Sequence, residues 1–219
     1  APGASVPTSA DNAAFDSASS AIAYTVTLNA TLTCLNLTFG NPLVGVITVA
    51  GASGLSLFGN LTMASGMTRT FTGAIAFGGV GATHNVTSNG VSFEQAIRFN
   101  QGNAVLQDAL TVTGSGNVRH SADVLDFNGF NVTTPSVDQT PDVLPRTWIL
   151  GSGTLLLTGT GTLLGHSANS LLTISATSST IRISDTGASG KTFEGRGFTY
   201  GTLDITSGGA GAVTLSGSA

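Results

Sequence analysis

The sequence predicts an all-β chain and, within that class, a right-handed parallel β-helix or solenoid. Short runs that alternate apolar and polar residues recur from end to end, each closed by Gly, Asn or Ser. A five-residue unit recurs with them, in Leu55-Ser56-Leu57-Phe58-Gly59, Leu110-Thr111-Val112-Thr113-Gly114, Leu125-Asp126-Phe127-Asn128-Gly129, Leu155-Leu156-Leu157-Thr158-Gly159 and Val213-Thr214-Leu215-Ser216-Gly217. Charge is rare even at the turns: 8% of residues are charged, against about 25% in an ordinary globular chain. Stacked coils joined by tight turns account for all three. A β-sandwich or jelly roll is the alternative, because it produces the same short runs. The mixed Leu, Ile, Val and Phe positions, with few large anchors, favour the solenoid.

In order along the chain, the expected strands begin with Tyr24-Thr25-Val26-Thr27-Leu28 and Leu35-Asn36-Leu37-Thr38-Phe39. Val46 to Val49, Leu55 to Phe58, Gly73 to Phe77 and Val91 to Phe93 continue the first half. Ala109 to Thr113, Val124 to Phe127, Thr147 to Leu150, Thr154 to Leu157, Leu171 to Ile174, Thr180 to Ile183, Thr202 to Ile205 and Ala212 to Leu215 complete it. No window carries a sustained helical period. Residues 1–219 are read as one domain. Its opening, 1–21, is less regular, and its Ala- and Ser-rich part, 9–21, is expected to be a loop or a single helical turn. The chain starts at Ala1 and its last strand stops in mid-pattern, so it is expected to belong to a longer polypeptide.

Composition excludes several functions. At 41% hydrophobic residues the chain is too apolar to be disordered. The seven Lys and Arg residues are scattered singly, which argues against nucleic acid as a partner. The apolar stretch Leu43–Leu61 is broken by Gly45, Gly51, Gly54 and Gly59, so it is not a membrane span. Gly78-Gly79-Val80-Gly81 lacks the Gly-Lys-Ser/Thr ending of a phosphate loop, and no nucleophile elbow occurs. No cofactor is expected.

Candidate chemistry was sought residue by residue. His84, His120 and His166 lie far apart and beside small residues, which reads as surface turns and not as a metal site. Asp123 with Asp126, and Asp138 with Asp142, could form carboxylate pairs of the kind that cleave glycosidic bonds; solvated turn acids are the expected reading, and Asp108 falls with them. Cys34, the only cysteine, is expected to be a small buried hydrophobe, and Trp148 is expected in the core or a cap. Five Asn-x-Thr sequons, at Asn29, Asn36, Asn60, Asn85 and Asn131, are expected to arise from composition. Thr-x-Thr pairs, at Thr25/Thr27, Thr31/Thr33, Thr70/Thr72, Thr111/Thr113 and Thr158/Thr160/Thr162, are spaced too irregularly for an ice-ordering ladder and read as outward strand threonines. No catalytic, cofactor-binding or metal-ligating residue is assigned, and the chain is expected not to be an enzyme.

Two segments carry a family resemblance. Val6-Pro7-Thr8-Ser9-Ala10-Asp11-Asn12-Ala13-Ala14-Phe15-Asp16 resembles the opening, and Lys191 to Ile205 with Gly211 to Ser218 the closing coils, of Gly/Thr-rich β-solenoid segments found in phage tail fibres and related bacterial surface proteins. The resemblance implies a fibre or spike segment on a virion surface or outside the cell, and trimers are usual for such fibres. It supplies no catalytic residue. The competing expectations are a surface adhesin that holds glycans through outward Asn, Thr, Phe198 and Tyr200, and a polysaccharide-degrading spike. Homo-oligomerisation is expected on charge alone: Lys191 is the only lysine, and Ala212 to Ser216 carries no charge to guard its edge.

Overall fold

In the computed structural model, which describes residues 6–121, 123–138, 144–165, 171–185, 187–195, 197–205 and 211–217, the chain is all-β and contains no helix. Every strand pairing among these residues is parallel. The strands stack into a β-solenoid of about eight turns. The sandwich alternative, which rests on antiparallel sheets, is thereby set aside.

Three sheets wrap the core. A nine-stranded sheet runs through Leu32–Cys34, Leu55–Leu57, Ile75–Phe77, Ile97–Phe99, Val118–His120, Val137–Asp138, Gly161–Leu164, Lys191–Glu194 and Val213–Ser216. A twelve-stranded sheet contains Ala13–Phe15, Leu37–Phe39, Leu61–Thr62, Thr83–Thr87, Asn103–Leu106, Asp123–Asp126 and Arg146–Ile149. It meets the 12-residue strand Leu172–Ile183, which carries it onto Thr154–Leu157, Val132–Thr134, Leu110–Thr111 and Tyr200–Ile205. A short third sheet, Ile22–Leu28, Val44–Gly51 and Thr68–Arg69, exists only in the first coils. Ala13–Phe15 is a strand paired with Leu37–Phe39, which the reading of 9–21 as a loop or single helical turn did not foresee; the rest of that segment is loop, with a turn in which the Ser19 and Ser20 amides donate to the Asp16 carbonyl at 3.0 and 3.3 Å.

Alternation decides what lies inside. In Leu55–Leu57, Ile75–Phe77 and Ile97–Phe99 the outer two residues are buried and the middle one is not. Register then builds columns along the axis: Leu32, Leu55, Ile75, Ile97, Val118 and Val137 lie one above another. Beside them run Cys34, Leu57, Phe77, Phe99 and His120. The Phe77 and Phe99 rings stack with centroids 5.2 Å apart and planes 17° from parallel. Each fully buried Leu, Ile or Phe contributes roughly 1.5–3 kcal/mol.

The coils are of unequal length. Paired positions are as little as 19 residues apart, Val118 to Val137, and as much as 30, Gly161 to Lys191. Tight corners demand left-handed backbone: Asn89-Gly90 has φ of 48° and 78°, and Asn128-Gly129 has 52° and 74°, the pairing that a type I′ turn needs. Both asparagines also donate from Nδ2 to a carbonyl of the preceding coil, Met63 at 2.7 Å and Leu106 at 3.2 Å.

Replacing Phe99 with Ala should remove one ring of the Phe77–Phe99 stack. The expected loss is about 3–5 kcal/mol of unfolding free energy, measured by denaturant titration followed by far-UV circular dichroism. A loss below about 1 kcal/mol would show that this column does not carry the fold.

Candidate functional site

The structure moves the histidines from the surface to the interior. His84 and His120 are fully buried, which corrects the surface-turn reading; His166 lies outside the described residues. Each occupies an inward column position where other coils place an aliphatic or aromatic side chain: His84 is in register with Ala104, and His120 with Phe99. A buried imidazole needs polar partners. His84 Nδ1 lies 2.9 Å from the Gly59 carbonyl and Nε2 3.0 Å from that of Gln101, so the ring sits between carbonyls of the coils on either side and its one N–H can donate to either. A Cβ on Gly102 would sit 2.6 Å from His84 Nε2, so the ring's position requires glycine there. His120 Nδ1 accepts from Trp148 Nε1 at 2.8 Å, and the His120 carbonyl accepts from Arg146 Nη1 at 2.9 Å. Trp148 is thus in the core, as expected, and burial lowers the Arg146 pKa.

The acids are engaged by backbone amides. Asp108 accepts from Ser88 and Asn89, at 2.8 and 2.5 Å, in the preceding coil. Asp123, at φ 64°, accepts from Gly102 at 2.6 Å, again one coil back. Asp126 closes an Asx turn on Asn128 at 2.7 Å. Asp123 and Asp126 are thus held by different amides, the first by Gly102 one coil back and the second by Asn128 at its own corner. Asp138 pairs through its backbone with Arg119; its side chain and Asp142 lie outside the described residues. Among the described residues no group of three or more His, Cys, Asp or Glu could hold a metal ion. Cys34 is buried, and burial pushes its thiol up to about 11, away from the reactive thiolate.

The sequons have a structural explanation that composition did not supply. Asn36 donates from Nδ2 to Asn12 Oδ1 at 2.7 Å, and its own Oδ1 accepts the Asn60 amide at 2.7 Å. Asn60 Oδ1 accepts the Asn85 amide at 2.8 Å, and Asn85 Oδ1 accepts Gln107 Nε2 at 2.9 Å. This is a ladder, one amide per coil. The residue after each Asn points in, and the Thr after that points out, as Thr38, Thr62 and Thr87 do in one column. The successive spacings of 24, 24 and 25 residues were the available signal. Threonines align elsewhere too: Thr25, Thr48 and Thr68; Thr154, Thr180 and Thr202; Thr162, Thr192 and Thr214. Their spacing is irregular in sequence and regular in space, because coil length varies while register does not.

Sequence reasoning also missed Lys191. Its side chain has no exposure, and its three ammonium protons meet three acceptors: Asp185 Oδ2 at 2.9 Å and the carbonyls of Gly187 and Ser189 at 3.1 Å each. The one lysine closes a loop and guards no edge. Its hydrogen bond to Asp185, followed by that of the Gly187 amide, holds the Asp185 carboxyl below the usual range.

Concave features remain among the described residues; at one of them Val80, Gln101, Asp123, Leu144 and Pro145 line a cavity of about 340 Å³. On the outer face, Asn131, Thr133, Thr154, Leu156 and Arg182 line a groove of about 210 Å³. Asn131 Oδ1 accepts the Thr154 amide at 2.8 Å, and Arg182 Nε pairs with Asp204 at 2.8 Å with the guanidinium half-exposed. At the C-terminal coil, Phe193, Phe198, Tyr200, Leu203 and Leu215 line a cleft of about 350 Å³. Phe198 and Tyr200 are half-buried there, and the Tyr200 ring meets Phe193 edge-on at 5.5 Å. Burial raises the Tyr200 pKa. Both aromatics pack against the edge of the core.

No protein-family model, no curated protein and no solved structure matches this chain.

Two outcomes follow from this geometry. Secreted from a eukaryotic host, the protein should carry glycan at exposed Asn29 and none at Asn36, whose Nδ2 donates to Asn12 and whose Oδ1 accepts the Asn60 amide; peptide mapping by mass spectrometry checks this. The lowered Asp185 pKa makes its contribution to stability fully present above the ordinary carboxylate value of about 4 and lost as pH falls through the lower folded value. Asp185→Asn should therefore flatten the acid side of the stability–pH curve, read by thermal melts across that range; an unchanged acid slope contradicts the clamp.

Proposed function

We propose that this chain is a non-enzymatic structural segment of a virion or cell-surface fibre or spike, working as a homo-oligomer. The observation that supports this most is where the polar side chains go. His84, Asp108, Asp123, Asn36, Asn60 and Asn85 each bond to a neighbouring coil, so groups that elsewhere perform acid–base or metal chemistry here tie the rod together. A stack of parallel coils with aligned outward threonines suits a spacer. The sequence resemblance to tail-fibre solenoids points the same way.

A second reading, glycan binding, draws on the outer groove. Asn131, Thr133 and Thr154 offer amide and hydroxyl groups, Arg182 offers guanidinium donors beside Asp204, and Leu156 gives an apolar floor. Sugars ask for this mixture of donors around a small apolar patch.

The purified chain should be incubated with bacterial capsule or lipopolysaccharide. The structural reading expects neither oligosaccharide release nor retention of polysaccharide. Retention that Arg182→Ala weakens tenfold or more favours the adhesin, and release that Asp123→Asn abolishes favours a polysaccharide-degrading spike and overturns the structural reading. Antibody labelling of intact particles or filaments in the electron microscope tests the location directly.

A further inference from the structure

Among the described residues between 47 and 204, two large hydrophobic side chains stand exposed, Val80 at 85% and Leu144 at 43%. They are far apart in sequence, yet the stack brings both to one corner, where they line the cavity of about 340 Å³ with Gln101, Asp123 and Pro145. That volume falls at the small end of ligand pockets, roughly 300–1,000 Å³. The lining comes from four successive coils. The Asn103 amide donates to the Ala82 carbonyl at 2.8 Å, the Asp123 carboxylate accepts the Gly102 amide at 2.6 Å, and the Asp123 amide donates to the Pro145 carbonyl at 3.1 Å. Val80 therefore belongs to the first of these coils, Leu144 and Pro145 to the last, and Gln101 and Asp123 to those between. Val80 stands in a turn in which the Ala82 amide donates to the Gly79 carbonyl at 3.2 Å and Gly81 has φ of 71°. The next coil fits that turn closely: a Cβ on Gly102 would lie 2.8 Å from the Ala82 carbonyl oxygen and 3.0 Å from that of Gly79. The glycine-rich run that matches no phosphate loop thus holds an apolar side chain out in solvent.

The polar part of the cavity is acidic. Residues 120–145 contain four Asp and no Lys or Arg. Asp123 keeps φ at 64° without the following glycine that Asn89 and Asn128 have, and left-handed residues of this kind gather at ligand clamps. Its Oδ2 takes the Gly102 amide, which leaves Oδ1 to accept a further donor. Arg146, in register with Asp123, is 2% exposed and donates from Nη1 to the His120 carbonyl, so its charge is turned into the core. Among the described residues no Lys or Arg lines the cavity. From the apolar lining and the unmatched carboxylate we infer that this corner is a docking site for a lysine or arginine side chain of a partner protein. Such a side chain is a long apolar stem ending in a cation. Its stem packs on Val80 and Leu144, and its cation meets Asp123. Charge decides against a neutral occupant: covering a carboxylate strips its water, and a cation offsets that loss where a neutral group does not. The Gln101 side-chain oxygen accepts a second N–H from the same head group. This corner is separate from the groove at Arg182, and the inference holds for a spacer, an adhesin or an enzyme.

The test titrates blocked amino acids into the nitrogen-15-labelled full chain and follows amide shifts by NMR. The probes are N-acetyl-lysine methylamide and N-acetyl-arginine methylamide. N-acetyl-norleucine methylamide, which has an apolar stem and no charge, and a methyl glucoside are the controls. Saturable shifts centred on Val80, Gly102 and Asp123 are expected with at least one cationic probe, and the tighter of the two names the partner's residue. Asp123→Asn should weaken that probe about tenfold, the scale of a lost charge-assisted hydrogen bond; asparagine can still accept the Gly102 amide and tolerates a left-handed backbone. Near-molar salt should weaken it in the wild type, and Val80→Ser, at an exposed turn, should weaken it without unfolding the chain. Far-UV circular dichroism checks the fold of each variant, and the salt and Val80→Ser arms carry the test if Asp123→Asn does not fold. No saturable shift with either cation, a norleucine probe that binds as tightly, or affinity unchanged in Asp123→Asn overturns the proposal. A methyl glucoside that binds the corner more tightly than both cations also overturns it and makes the corner a sugar site.

Discussion

The structure depends on in-register parallel stacking. Once one coil has placed Leu55 and Leu57 inward, the backbone hydrogen bonds to the next coil fix Ile75 and Phe77 at the same points of the cross-section. A slip of one residue would turn every inward side chain out, because the side-chain period of a strand is two. Register is therefore held by the core and by the ladder together. Coil length is free to vary, since additional residues leave the stack as loops, and the span of 19 to 30 residues between paired positions is the result. The same rule aligns the outer threonines, which have no need of each other's company.

A narrow solenoid interior must satisfy the polar groups it admits. His84, His120 and Lys191 are buried, and each lies within hydrogen-bond distance of a partner on another segment of backbone or on a core side chain. An unpaired polar group in such a place would cost a few kcal/mol; paired, it selects one register over its neighbours, because a shifted coil would offer no acceptor. The asparagine ladder does the same at the corner. Arg69 shows another solution: its guanidinium lies 4.4 Å from the Phe71 ring centroid and donates to the Ser92 carbonyl, while burial lowers its pKa and Glu94 offsets part of that.

This economy bears on function. A carboxylate that accepts two backbone amides, as Asp108 does, is held in one orientation. The outer groove around Arg182 differs, because its guanidinium is half-exposed and its polar groups face solvent. That groove offers a ligand polar groups that the neighbouring coils have not fully engaged.

The sequence by itself determined the class of fold, since alternation, Gly- and Asn-closed corners and scarce charge are local properties that any reader of the chain can count. It also determined the interior character of Cys34 and Trp148 and the Asx turn at Asp126. It did not reveal that His84 and His120 are interior, because a histidine beside small residues looks the same at a turn and in a column; only the coil on either side supplies the carbonyls and the indole that make burial tolerable. Nor did it reveal the Asn ladder, the aligned threonines or the Lys191 clamp. Each depends on which residue of one coil lies over which residue of the next, and coils of unequal length hide that correspondence from any fixed spacing. Neighbourhood along the chain fixed the strands. Neighbourhood across the coils, set by backbone hydrogen bonds between residues some twenty or more positions apart, decided what each polar side chain does.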